Sequence, residues 1–172
     1  MSVILGVDGS QHSVAALQLA VTEARCRSVD LHVVYVYEPA RTSHAAAAAS
    51  VMAGDMWTAQ DTAGTVLESA QRRDAADRAE AQRHAEGWLR QFMHRQDIDL
   101  SGADVRLSAV GGEHPAAALV RLSHDADLLV VGSRGLGGFK GVLLGSISQH
   151  CVRHATCPVL VARLPRSDAE TA

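Results

Sequence analysis

The segment Asp127-Leu-Leu-Val-Val131, running straight into Gly132-Ser-Arg-Gly-Leu-Gly-Gly-Phe-Lys-Gly-Val-Leu-Leu-Gly-Ser-Ile147, decides how this chain folds. Consecutive Leu and Val residues suit a strand buried on both faces, the mark of a parallel sheet. Glycines at 132, 135, 137, 138, 141 and 145 then leave the backbone bare, and a helical segment opens at Ser146. A glycine-rich loop between a buried strand and a helix start brings unpaired N–H groups up to a phosphate. The expectation from this segment is a nucleotide site.

Outward from the loop, the same alternation of strand and helix recurs. Ser2–Val7 is continuously apolar apart from Gly6 and is turned by Asp8-Gly-Ser-Gln-His-Ser13. Either Ser10 or Ser13 caps the following helix, whose positions Val14, Leu17, Val21 and Ala24 keep a helical spacing to about Ser28. Leu31–Tyr37 reads as strand two, closed by Pro39, which has no N–H for a ladder. Residues 41–65 are irregular and include the alanine run 45–49; they read as an insertion with partial helicity. Val66–Met93 has a helical period with charges on one side, and Trp88 and Phe92 fall on its core face. Asp104–Val110 reads as strand three, and Gly111-Gly-Glu-His-Pro115 leads into a helix with proline in its first turn. After strand four, a helix from Ser146 to about Ala155 and a strand from Cys157 to Arg163 complete the series; residues 164–172 are a polar tail. Strand and helix alternating through five strands predict an α/β class, with a parallel sheet covered on both faces. Ligands of such sheets sit beyond the carboxyl ends of the strands, where the strand order reverses.

Composition narrows the partners. A chain of 172 residues is one domain's worth. A net charge of -3, with 16 Lys and Arg scattered among 19 Asp and Glu, offers no basic field for a nucleic-acid backbone. No apolar run reaches the roughly 20 residues that span a bilayer. Three cysteines, an odd number, with no signal-like apolar start, point to a reducing, cytoplasmic setting.

The spacing Gly132-x2-Gly135-x9-Gly145-Ser146, the opening Val7-Asp8-Gly9-Ser10, Leu31-His32-Val33 of strand two and the closing Cys157-Pro158-Val159-Leu160-Val161 resemble the universal stress protein family over nearly the whole chain. The resemblance implies a single doubly wound domain over residues 1–163, with five parallel strands in the order 3-2-1-4-5 and helices on both faces. It implies the family branch that binds ATP, because the glycine spacing is kept. By that likeness Asp8 lies near the ribose and a magnesium ion carried by the nucleotide, and Val33 meets adenine through its backbone. Gly132 and Gly135 line the ribose and phosphates, and Gly145 and Ser146 hold the phosphates. The likeness further implies a homodimer joined through strand five, Val159–Ala162, acting as a nucleotide-dependent module in stress or dormancy adaptation.

The residue types have their own physical reasons. Gly132 and Gly135 have no Cβ and permit close approach of a ligand, or they only make a tight turn. Gly145 and Ser146 stand at a helix N-terminus, where free N–H groups and about half a positive charge favour an anion. Ile147 and Ser148 continue that turn, and the Ser148 hydroxyl is a further donor. Ser146 also reads as the helix N-cap. Asp8 either faces the ligand or caps helix one. Leu136–Lys140 reads as a mobile flap, with Arg134 and Lys140 near phosphate charge, Lys140 better read as solvated. His150 and His154, four apart, read as a surface or interface pair, since no third ligand accompanies them. Cys26, Cys151 and Cys157 read as inert thiols. No base stands in an obvious catalytic place, so no catalytic residue is assigned; slow ATP hydrolysis and a ligand-independent dimeric scaffold are the alternatives to a binding module.

Overall fold

The computed structural model describes residues 1–38, 60–137 and 143–164. The expected insertion is described only from residue 60, and Lys140, most of the flap and residues 165–172 lie outside the described residues. The chain forms two compact units, one of residues 1–38 with 85–172 and one of residues 39–84.

The first unit carries five strands: β1 (Ser2–Val7), β2 (Asp30–Tyr37), β3 (Val105–Gly111), β4 (Leu128–Gly132) and β5 (Val159–Ala162). Its helices are α1 (Gln11–Arg27), the Ala85–Arg95 part of α2 (Gln60–Arg95), α3 (Pro115–Leu122) and α4 (Ser146–His154). All strand pairs are parallel and the order is β3-β2-β1-β4-β5. The α/β class expected from the alternation of elements and the strand order implied by the family resemblance are therefore observed. In register, Leu5 of β1 stands between Val33 of β2 and Val130 of β4.

Side-chain alternation along β1 splits the core into two layers. Val3, Leu5 and Val7 pack with Val33 of β2, with Ala16, Leu17, Ala20, Val21 and Ala24 of α1, and with Leu89 and Phe92 of α2. Ile4 turns to the other face and joins Val34, Leu129 and Val131 against Leu119 of α3 and Cys151 of α4. Full burial of a residue such as Leu5 or Leu17 contributes about 1.5–3 kcal/mol relative to leaving it exposed. Gly6 shares the second face, and its missing side chain is the space Leu119 fills: an added Cβ would stand 2.8 Å from Leu119 Cδ1.

Several boundaries differ from the sequence reading. α2 begins at Gln60, before the expected Val66, so the last part of the expected irregular segment is helical. β5 starts at Val159, two residues later than expected, because Cys157 and Pro158 form the approach to it. α3 passes into a short 3-10 turn over Ser123–Asp125, where the Ser123 hydroxyl donates to the Val120 carbonyl (2.6 Å). On β2, His32 Nε2 and Ser108 Oγ of β3 form a 2.8 Å hydrogen bond, and burial, aided by the Arg106 charge, holds the imidazole below its ordinary pKa.

α1 is capped by Ser10, whose hydroxyl accepts from Ser13 N–H, which resolves the choice between the two serines. Its C-cap is Ser28, in the left-handed conformation at φ 53°. A Cβ costs roughly 1–2 kcal/mol there, and glycine avoids the cost while adding unfolded-state entropy. Ser28→Gly is expected to stabilise the protein by about 0.5–1 kcal/mol, read as a raised urea midpoint with an unchanged slope; no rise would show that Ser28 is unstrained.

Candidate functional site

Beyond the carboxyl ends of β1 and β4 lies a cavity of about 410 Å³. Among its lining residues are Asp8, Gly132, Gly135, Ser146, Ile147 and Ser148, six of the eight positions expected to bind a ligand. Strand order places them together: β1 and β4 are neighbours, and the chain leaves β1 into α1 on one face and β4 toward α4 on the other. An apolar wall comes from Val34 and Val36 of β2 and from Pro115 and Leu119 at α3.

Asp8 ties the site together. One carboxylate oxygen accepts from Ser10 N–H (2.9 Å) at the start of α1, and the other from Leu136 N–H (3.1 Å) in the loop after β4. The same residue therefore holds the N-cap residue of α1 and lines the cavity; the cap itself is Ser10. This clamp explains Gly135: an added Cβ would stand 2.5 Å from Asp8 Oδ2. Gly132 has a different cause, since a Cβ there would meet the backbone carbon and carbonyl oxygen of His12 at 2.9 and 3.0 Å. Its bareness lets the first turn of α1 approach the end of β4.

The start of α4 departs from the sequence reading. The N-cap is Gly145, extended at φ -67° and ψ 160°, and Ser146 is the first helical residue, so Ser146 is not the cap. The Gly145 amide donates to Ser133 O (2.7 Å), and its carbonyl accepts the first intrahelical bond from Gln149 (2.9 Å). No side chain caps this end. The N–H groups of Ser146, Ile147 and Ser148 are thus the orphan donors of the first turn, and all three residues line the cavity. The Ser148 hydroxyl, expected as a ligand donor, donates instead to Gly132 O (2.6 Å) and fastens α4 to the end of β4.

Charge in the lining comes from Asp8 and Arg134. Arg134 Nε is buried with no hydrogen-bond partner among the described residues, whereas both Asp8 oxygens are engaged. Val33 does not line the cavity: its side chain is fully buried in the α1-facing core, and its backbone is paired between Leu5 and Leu107. Val34 and Val36, on the opposite face of the same strand, do line it. The period-2 alternation of β2 is the signal that separates them, but it needs to be known which face of the sheet opens to the crevice. Pro115 and Leu119 had no sequence signal for this role beyond their helix.

Residues 1–163 match the family model described as the universal stress protein family. The chain belongs to that family. Two curated universal stress proteins of Mycobacterium tuberculosis strain H37Rv are each 32% identical to it, over 161 and 169 residues, 94% and 97% of this chain. Those alignments take in 44% and 45% of the relatives' own lengths, so the chain spans less than half of the curated relatives it matches. Among solved structures, a universal stress protein from Lactobacillus plantarum superposes with a TM-score of 0.58 at 20% identity, covering 95% of this chain and 97% of that one. A universal stress protein solved in complex with cAMP superposes at 0.51 with 27% identity, covering 95% and 96%.

Outside the cavity, the His150 and His154 rings lie 4.4 Å apart between centroids, tilted by 41°, on the exposed side of α4, and no group of three or more metal-ligating side chains exists among the described residues. No helix of the described residues is long and apolar enough to cross a membrane. The three cysteines are free: Cys26 exposed, Cys157 partly buried, and Cys151 buried, with its thiol pushed up to about 11 by desolvation. Since the thiolate is the reactive form, alkylation at pH 8 is expected to modify Cys26 first and to spare Cys151 until the protein is unfolded; early labelling of Cys151, mapped by peptide mass spectrometry, would contradict that packing.

The two glycines should separate by their neighbours. Gly132→Ala presses on backbone and is expected to destabilise by about 1–3 kcal/mol, whereas Gly135→Ala pushes against a carboxylate that can swing away and should leave the urea midpoint nearly unchanged. Equal losses in both variants would count against this assignment.

Proposed function

We propose that this chain is an ATP-binding regulatory module whose ligand occupies the cavity between Asp8, Gly132, Gly135 and the start of α4. The observation that carries the reading is the uncapped first turn of α4: three donors from Ser146, Ile147 and Ser148 line the cavity with no acceptor from the helix and no capping side chain. Helix dipole and free N–H groups together favour a phosphate at that point. The apolar wall of Val34, Val36, Pro115 and Leu119 suits the base of a nucleotide, since small-molecule pockets pair apolar walls with a few placed polar groups. The related structure holding cAMP supports an adenine ligand in particular.

Asp8 fits a magnesium ion carried by the nucleotide. A carboxylate has about four acceptor positions, and Asp8 uses two on backbone amides. Magnesium is commonly held by one or two carboxylates, water and substrate phosphates, so a single Asp8, with no metal-ligating cluster among the described residues, is compatible with it. Dimerisation through β5 is part of the same reading. What supports it is that Val159–Ala162 pairs with β4 on one edge and has no second strand partner among the described residues, and an unpaired apolar edge is prone to association. Free thiols support a reducing, cytoplasmic setting.

The test is binding by the protein as purified. ATP at 100 times its Kd should stabilise the fold by about 2.7 kcal/mol, seen as a higher melting temperature, and denaturation of gently purified protein should release adenine nucleotide to mass spectrometry. Gly135→Val, which displaces Asp8, should remove the ATP-dependent shift while leaving the protein folded. A wild-type protein with neither bound nucleotide nor a thermal shift would refute the proposal.

A further inference from the structure

Trp88 of α2 stands behind the turn that carries Asp8. Asp8 Oδ1 accepts from Ser10 N–H across Gly9 (2.9 Å), an Asx turn in which the carboxylate and the Gly9 backbone are tied together. Gly9 has φ 85°, a conformation that side chains rarely adopt, and the space its Cβ would take is filled by the indole: Trp88 Cζ2 would stand 2.9 Å away. Two further rings hold the indole, Tyr35 of β2 at 4.0 Å between centroids and Phe92, one turn further along α2, at 5.4 Å. Tyr35 is the register partner of Val7, the residue before Asp8. Trp88 thus bears on the end of β1 from both sides of Asp8, by way of Tyr35 and of Gly9. It is only partly buried, packed against the α1-facing core, and it is not among the residues that line the cavity.

Resting on the nucleotide reading above, we infer that Trp88 is a positioning residue for this site: acting through Gly9, it holds the Asp8 carboxylate in the cavity, and through the same contact α2 responds to occupancy. The hydrogen bonds to Ser10 and Leu136 orient the carboxyl group, but they do not stop the turn beneath it from shifting toward α2. The indole does, since among the described residues the atoms that would face a Gly9 Cβ within 4 Å both belong to the Trp88 ring. A carboxylate placed before the ligand arrives spares the cost of ordering it afterwards. The coupling is reciprocal: if the packed indole favours the ligand-ready turn, a ligand held by Asp8 favours the packed indole by the same factor.

The experiment uses the full chain with Trp57→Phe, which leaves Trp88 as the one tryptophan, titrated with ATP and magnesium chloride while tryptophan emission and calorimetric heat are followed. Emission is expected to shift along the same saturation curve as the heat; because Trp88 lies outside the lining, the shift reports the turn. Trp88→Phe, which keeps a ring beside Tyr35 and lacks the one that reaches Gly9, should weaken ATP binding by roughly 5-fold to 50-fold. The comparator is Leu128→Ala, or Leu128→Val should the first not fold: it removes buried core at the amino end of β4, away from the cavity, and should bind ATP like wild type. ATP binding with Trp88 emission unchanged would overturn the inference. So would wild-type affinity in Trp88→Phe, or an equal loss in the Leu128 variant, which assigns Trp88 to stability alone; each of these leaves the nucleotide reading standing. A wild-type protein that binds no ATP would overturn that reading and this one together.

Discussion

β1 is the constraint on which the architecture depends. Val3, Ile4 and Leu5 are buried on both faces of the sheet, so β1 must have a strand on each side and a helical layer above and below. β2 and β4 take the two sides. Because the chain leaves β1 toward one side and returns to pair β4 on the other, the covering helices part above the carboxyl ends of β1 and β4, and a crevice is left there. The cavity is a consequence of burying one short strand completely.

Within that crevice the polar groups divide into those already satisfied and those that are not. Asp8 bridges α1 and the β4 loop, Ser148 fastens α4 to Gly132, and Gly145 is bonded at both its amide and its carbonyl. These contacts hold the walls. What remains without a partner among the described residues is the first-turn amides of α4 and the Nε of Arg134. Donors left over in one cavity are what support the anion reading proposed above. Structural and binding roles have separated at neighbouring positions: Ser148 serves the fold through its hydroxyl and remains available to a ligand through its amide.

The glycine spacing illustrates the same separation. The motif treats Gly132 and Gly135 alike, as room for a ligand. Their neighbours differ, since His12 backbone crowds Gly132 and the Asp8 carboxylate crowds Gly135. Both glycines are therefore explained by protein contacts before any ligand is considered, and Gly135 bears on the ligand indirectly, by giving Asp8 its place. Gly145 carries neither crowding, with contacts of 3.5 Å or more; its extended conformation and its hydrogen bonds mark it as a cap.

Local sequence determined the elements and their order: continuous apolar runs at Ser2–Val7 and Leu128–Val131 can only be buried as central strands, and the helical period of α1 leaves one face for the core. It also determined which residues stand at strand ends, and so brought Asp8, Gly132 and Gly135 into consideration together. Side-chain facing within β2 was not determined, because a run such as Leu31-His-Val-Val-Tyr-Val-Tyr37 is compatible with either face opening to the crevice. Only the packing of α3 and α4 over Val34 and Val36, with α1 over Val33, decided that. The cap of α4 was likewise a tertiary decision: Ser146 has the better capping side chain, but the bond from the Gly145 amide to Ser133 holds Gly145 extended and makes Ser146 the first helical residue. Local chemistry proposes a helix start within a residue or two, and contacts made from a distant strand select among them.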